Sequence, residues 1–189
     1  MTLVDMRTKI LNVASNLFES RGINASGVDT IIAEAGVAKA TLYKHFPSKD
    51  LLVIAFLKRN ADNFIEWLTL GLKDKSTEPG DKLIQLCSLL EKHIVTQRSK
   101  GLPFHLASVE FPDPSHPVHQ FSVRLSKELQ AYIVDLAKET GTVEPESLGQ
   151  QIIMLFEGAS LVERLSPGSG ATSRAKQAAI LLIRSSLNH

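Results

Sequence analysis

The chain has 189 residues, 43% of them apolar and 22% charged, and its formal net charge is +1. This composition is ordinary for a globular protein with a hydrophobic core, and the small net charge excludes a polycation that coats nucleic acid without sequence preference. The sequence has no apolar run of the ~18–20 residues that a membrane span needs and no signal-peptide pattern, so we expect a cytoplasmic protein.

Apolar residues at helical spacing predict four helices in the first part of the chain. The first covers 7–21 and carries on one face Ile10, Val13, Ala14, Leu17 and Phe18. The second begins at Ser26, whose hydroxyl we expect to cap the helix, with Asp29 at the spacing of a capping box. It ends at the turn glycine Gly36. A short third helix is predicted over 38–44 and a long fourth helix over 48–72.

Helical spacing resumes after a polar segment at 73–80, which is typical of a linker. Apolar positions then predict helices around 83–94, 118–136, 148–162 and 175–187, with a short apolar segment at 103–111. The sequence contains no persuasive alternating pattern for strands and no internal repeat. We therefore predict an all-α fold.

Residues 22–50 contain the pattern that points to a function. Two short helices joined at Ala35-Gly36-Val37 are what a helix-turn-helix requires, because the glycine permits the tight turn. The second helix of such a pair enters the major groove of DNA. The segment between Glu34 and Asp50 has no carboxylate and carries hydroxyls and cations that suit phosphate binding, namely Lys39, Thr41, Tyr43, Lys44, His45 and Lys49.

The string A-G-V-A-K-A-T-L-Y-K-H-F-P-S-K-D-L at 35–51 resembles the tetracycline-repressor (TetR) family of bacterial regulators. The resemblance covers about the first 55 residues and implies a homodimer of about nine helices per chain. It implies a three-helix DNA-binding domain at 1–47, followed at 48–189 by a linking helix and a C-terminal ligand-binding and dimerisation domain. The sequence departs from the family pattern at Gly27, Ala38 and Ala40, and at Asp29, whose carboxylate would repel phosphate.

Residue by residue, the resemblance implies that Thr41, Tyr43 and Lys49 contact phosphates. Lys39, Lys44 and His45 would then lie at or near base edges, and Ser26 would cap the second helix beside the DNA backbone. From the spacing alone, Phe46 is expected to pack the third helix onto the first. Tyr43 is expected at the surface, because Leu42 and Phe46 already define the buried face.

Several other residue types are candidates for chemistry. Cys87 is expected to be a small core residue, because no second cysteine or adjacent cation favours a reactive thiolate. We expect no metal site, since the scattered histidines 93, 105, 116 and 119 lack an accompanying Cys-x-x-Cys motif. The absence of a glycine-rich phosphate loop and of a nucleophile motif argues against an enzyme. No cofactor is expected.

Two surfaces of the C-terminal part are predicted. The middle of the chain has more large apolar and aromatic side chains than a thin helical layer needs, and we expect some of them to line a pocket for a small apolar or aromatic effector. These candidates are Leu86, Leu90, His93, Phe104, His105, Glu110, Phe111, Phe121, Leu125 and Phe156. Small and apolar residues of the last two helices are expected to form a four-helix dimer interface: Leu155, Gly158, Ala159, Val162, Ala175, Ala178, Ala179, Leu182 and Ile183.

The predicted function is a repressor that binds a near-palindromic DNA operator as a homodimer and is released when an effector tilts the linking helix. An alternative is a TetR-like helical dimer controlled by a protein partner. Operator sequence, effector identity and regulated genes do not follow from the sequence.

Overall fold

The computed structural model describes residues 3–73, 78–97 and 105–187. All regular secondary structure in these ranges is α-helical, which confirms the predicted all-α fold. The described residues form nine helices: α1 (Leu3–Arg21), α2 (Val28–Ala35), α3 (Lys39–His45), α4 (Lys49–Gly71), α5 (Pro79–Gln97), α6 (His105–Glu110), α7 (Pro117–Glu139), α8 (Pro145–Leu165) and α9 (Ala171–Leu187). None of the helices in these ranges is long and apolar enough to cross a membrane.

The chain packs into two compact units. The first comprises Met1–Asp62 and Phe104–Arg124, and the second comprises Asn63–Pro103 and Leu125–His189. Both α4 and α7 therefore contribute to both units, whereas the predicted domains divide the chain once, between residues 47 and 48. That functional division stays a prediction.

The core of the first unit holds α1 to α3 in place. Four of the five residues on the predicted apolar face of α1 are buried, and the fifth, Val13, is half-buried. Phe18 packs edge-on against Phe56 of α4 with ring centroids 5.3 Å apart. Arg59 fastens α4 to α1 on the outside of this core: its guanidinium donates to Asn12 Oδ1 at 2.6 Å and to the hydroxyl of Ser15. The first half of α4 is thus fixed against α1.

In the second unit, α5, α8 and α9 pack around a common core. Gly149 of α8 lets that helix approach α7 closely, since a Cβ at this position would lie 2.6 Å from Val134 Cγ2 and 3.1 Å from Val134 Cα. Cys87 of α5 is fully buried, and burial raises the pKa of its thiol to about 12. The prediction that Cys87 is a core residue is confirmed.

Glu163 organises the connection between α8 and α9. Its carboxylate accepts hydrogen bonds from the Gly168 N–H, the Ser169 hydroxyl and the Ala171 N–H, each at 2.9 Å. Desolvation acts to raise the pKa of Glu163, and these hydrogen bonds outweigh it and lower the pKa below its ordinary value. The buried carboxylate of Glu163 therefore caps the start of α9.

Candidate nucleic-acid interface

The turn between α2 and α3 has the geometry that the sequence predicts. Gly36 ends α2 in the left-handed conformation, with φ 60° and ψ 45°, and its N–H donates to Ala33 O at 3.2 Å. A side chain with a Cβ adopts this conformation only at a cost, so glycine suits the position. Ile31 of α2 and Leu42 of α3 are fully buried, and they fix how the two helices cross.

The outer face of α3 is polar and cationic. Lys39, Tyr43 and Lys44 are exposed, with 39% of Tyr43 accessible, and Thr41 and His45 are half-buried. Phe46, at the C-terminal end of α3, is buried beneath the guanidinium of Arg7, which lies 4.7 Å from its ring centroid. The predictions that Tyr43 faces outward and that Phe46 packs towards α1 are confirmed.

The first turn of α4 continues this surface. Ser48 caps the helix, because its Oγ accepts the Leu51 N–H at 3.1 Å. Lys49 is half-buried beside it, and desolvation lowers its pKa, while the charges of Glu110 and Asp50 act in the opposite direction. The free N–H groups of a helix start and a neighbouring cation together favour an anion such as a phosphate.

Asp29 does not stand alone on this surface. Its Oδ1 lies 3.7 Å from Lys39 Nζ, and both side chains are largely exposed. A pair at this distance in water contributes little to stability. Lys39 nevertheless offsets the negative charge that Asp29 places near the start of α3.

The prediction that Ser26 caps α2 beside the DNA backbone was wrong. The N-cap residue of α2 is Gly27, and it makes no side-chain cap hydrogen bond. Ser26 is fully buried one residue earlier, where its Oγ donates to Gly22 O at 2.7 Å and its N–H to Ile23 O at 3.2 Å. The hydroxyl therefore closes the turn between α1 and α2, and it does not face outward beside a DNA backbone.

Comparison with known proteins identifies the family to which these helices belong. Residues 10–56 match the family model of bacterial regulatory proteins, tetR family. The HTH-type transcriptional regulator YxaF of Bacillus subtilis is 29% identical to the chain, and the match covers 84% of both sequences. The HTH-type transcriptional regulator LmrA of the same organism is 26% identical, and the match covers 89% of the chain and 92% of LmrA. The crystal structure of SCO4454, a TetR-family transcriptional regulator from Streptomyces coelicolor, superposes with a TM-score of 0.86 at 26% identity and covers 97% of both chains.

The chain belongs to the TetR family. It is a DNA-binding transcriptional regulator of the helix-turn-helix type, and the family-model match spans the helix-turn-helix described above.

The structure separates the predicted effector-pocket residues of this TetR-family regulator. Leu86, Leu90, Leu125 and Phe156 are buried core residues of the second unit, to which His93 also belongs. Phe111 and Phe121 belong to the first unit, where Phe111 packs on His116 and Phe121 lies under Arg124. Phe104 and the side chain of His105 lie outside the described part of the chain.

An aromatic cluster in the second unit was only partly predicted. The His93 ring lies 4.5 Å from the ring centroid of Phe64 and 5.5 Å from that of Trp67, and the last two rings stack at 6.2 Å. Trp67 is half-buried. The spacing of Phe64 and Trp67, three residues apart on one helix, could have predicted that the two rings share a face.

Glu110 has a different place from the one predicted. Its carboxylate is bonded to the backbone between α1 and α2, with Oε1 accepting the Ile23 N–H at 2.8 Å and Oε2 accepting the Asn24 N–H at 2.6 Å. It therefore belongs with the DNA-binding helices of the first unit and not with an effector pocket.

The predicted dimer residues of α8 and α9 lie on two opposite faces. Ala159, Ala175, Ala179 and Ile183 are 0–7% exposed and pack inside a single chain, which corrects their assignment to the interface. Gly158 and Val162 are exposed, and Leu155, Ala178 and Leu182 are half-buried. Four exposed apolar residues extend this outer face and were missed: Met154, Leu161, Leu165 and Leu181.

The outer face of α8 and α9 includes an open groove of about 620 Å³. Its walls are mostly apolar and consist of Gln151, Met154, Leu155, Ala178, Leu181, Leu182 and Ser185. Large exposed apolar patches are the usual sites of contact with another molecule.

Proposed function

We propose that this TetR-family regulator is an effector-responsive repressor that binds a near-palindromic DNA operator as a homodimer. The observation that carries the proposal is the polar, cationic surface made by α3 and the capped start of α4. It presents Lys39, Tyr43 and Lys44 outward beside Lys49.

The positions of these side chains support a division of roles. Tyr43, Thr41 and Lys49 are proposed to bind phosphates, since hydroxyls donate to phosphate oxygens and the start of α4 favours an anion. Lys39, Lys44 and His45 are proposed to lie at or near base edges, because the N-terminal part of a recognition helix enters the major groove.

The outer face of α8 and α9 is proposed to bind a second copy of the chain. Leu181 is 69% exposed, Met154 65% and Leu161 58%, and each would be shielded from water in a four-helix bundle with a two-fold axis. Such an axis would set the two recognition helices about one DNA turn apart, roughly 34–36 Å, and would match a near-palindromic site.

The effector is proposed to be a small apolar or aromatic molecule. The cluster of Phe64, Trp67 and His93 supports this class, because aromatic rings stack with flat apolar ligands. An effector that releases DNA must bind the released conformation more tightly by about 1–3 kcal/mol. Trp67 is the single tryptophan, so its fluorescence reports on this cluster directly.

The decisive experiment is DNA binding by fluorescence anisotropy across a salt series. The probe is a duplex selected by the protein from a randomised library, and the reference is a shuffled duplex of the same composition. Lys49→Ala is compared with Lys127→Ala, which removes the same charge from an exposed position on α7 in the second unit.

We expect tight, salt-dependent binding of the selected duplex. The slope of log K against log salt should fall by about 0.9 for each phosphate that the protein no longer neutralises, or about 1.8 when Lys49→Ala is present in both protomers. Lys127→Ala should keep the wild-type slope. Failure of the selection to enrich any sequence, even at low salt, would contradict the proposal and favour control through a protein partner.

A further inference from the structure

Glu110, at the C-terminal end of α6, is joined by three hydrogen bonds to the turn between α1 and α2, which leads into the helix-turn-helix. Its carboxylate accepts the backbone N–H groups of Ile23 and Asn24 with separate oxygens, at 2.8 and 2.6 Å. Asn24 Nδ2 donates in return to the Glu110 carbonyl at 2.9 Å. These partners are 86 and 87 residues apart in sequence, so the contact holds a distant segment against the turn between α1 and α2.

The turn itself is shaped for this contact. Gly22 has φ 93°, and a Cβ there would lie 3.4 Å from Glu110 Oε1. Ser26 then closes the turn through its hydrogen bond to Gly22 O, immediately before α2 begins. A carboxylate that accepts two backbone N–H groups makes charge-assisted hydrogen bonds, which are stronger than neutral ones.

The same segment also reaches the start of α4. His116, in the connection between α6 and α7, has its Nε2 3.6 Å from Asp50 Oδ2, and its ring packs on Phe111 at 4.7 Å. Lys49, beside Asp50, lies close enough to Glu110 to feel its charge. The segment 105–116 thus touches both the turn that leads into α2 and the first turn of α4.

We propose that Glu110 is a positioning residue for DNA recognition, which holds the α1–α2 turn, and with it α2, in the register that sequence-specific binding needs. The proposal rests on the proposed DNA-binding function. Because the carboxylate is negative and close to Lys49, it weakens general attraction to phosphate while it fixes the geometry of the reading surface. The charge lowers the affinity for any duplex, whereas the positioning raises the affinity for the selected duplex. The two effects can therefore be measured separately.

The experiment compares Glu110→Gln with the wild type on the selected duplex and on the shuffled duplex, at a temperature where thermal unfolding shows both proteins fully folded. Gln keeps the size of the side chain and one acceptor oxygen, but its amide nitrogen cannot accept the second backbone N–H. Glu34→Gln is the matched control, since it removes the same charge from an exposed position on α2.

We expect Glu110→Gln to bind the selected duplex at least about fivefold more weakly, the lower end of the range for coupling between sites, and the shuffled duplex no more weakly than wild type. Glu34→Gln should not change the ratio of the two affinities. Equal affinities for wild type and variant would mean that the contact is only structural. Tighter binding of both duplexes would mean that Glu110 acts only through its charge. Either result would overturn the proposal.

Asn24→Ala provides a second variant if Glu110→Gln does not fold. Asn24 is exposed, and the substitution removes only the Nδ2 hydrogen bond, so both backbone bonds to the carboxylate remain. We expect the ratio of selected to shuffled affinity to fall in Asn24→Ala as well, but by less than in Glu110→Gln. An unchanged ratio in Asn24→Ala together with an unfolded Glu110→Gln would also count against the proposal. Absence of any binding preference in the wild type would instead indicate that the proposed function has failed.

Discussion

Leu181 lies on the outer face of α9, and 69% of it is exposed in a single chain. Fully burying a leucine side chain contributes about 1.5–3 kcal/mol, so shielding this fraction in a dimer would contribute about 1–2 kcal/mol per copy. The two-fold axis brings two copies into the interface, which gives about 2–4 kcal/mol per dimer. Leu181→Glu removes this contribution and also places two carboxylates where water is excluded, which makes the figure a lower bound.

We therefore expect Leu181→Glu to raise the dimer dissociation constant by at least about 30- to 1000-fold. Sedimentation velocity over a concentration series measures this constant. The matched control is Val143→Glu, which makes the same change at an 82% exposed apolar position in the turn between α7 and α8. The control should keep the wild-type constant. If Leu181→Glu has the same dimer dissociation constant as the wild type, the outer face of α8 and α9 is not the dimer interface. A monomeric wild type would refute the dimer itself.

Three further predictions concern the interior of the second unit. Because burial raises the pKa of Cys87 to about 12, iodoacetamide at mildly alkaline pH should label the native protein far more slowly than the denatured protein. Because the folded pKa of Glu163 is depressed, its contribution to stability is fully present above the ordinary value of 4.5 and is lost as pH falls through the folded pKa. The difference in Tm between wild type and Glu163→Gln should therefore shrink in acid. Gly149→Ala should destabilise by about 1–3 kcal/mol in urea unfolding, because its Cβ would overlap Val134.

Each of these predictions has an outcome that would contradict it. Labelling of native Cys87 at the denatured rate would mean that α5 is not packed as described. A Tm difference for Glu163→Gln that stays constant from neutral to acid pH would mean that its charge is not part of the cap. The control for Gly149→Ala is Gln150→Ala, at an exposed position on the same helix, which should change stability by less than about 0.5 kcal/mol. Equal effects of the two substitutions would refute the close approach.

Local patterns in the sequence were sufficient to predict the helices and the helix-turn-helix. Helical spacing decides which side chains share a face, so the buried face of α1 and the outward position of Tyr43 followed from it. The turn at Gly36 followed from the need for a left-handed residue between two short helices. These features depend on neighbours within about one or two helical turns, which the sequence displays directly.

The sequence was less informative where two local choices were nearly equal. Ser26 and Gly27 are both reasonable N-cap residues, and the tertiary packing of the turn decided between them by burying Ser26. Helix α8 has apolar residues on both faces, for example Ile152 and Phe156 on one and Met154 and Leu161 on the other. Spacing alone cannot say which face turns inward, because both satisfy the same helical period.

The sequence by itself thus determined the helical architecture, the turn and the residue types of the DNA-binding surface, because these follow from backbone preferences and side-chain periodicity. Only the tertiary structure decided that Glu110 bonds to the turn at Ile23 and Asn24, and that Ala175 and Ile183 lie inside the chain. Such contacts join residues that are far apart in sequence, and they depend on how the helices pack in three dimensions and not on any local preference.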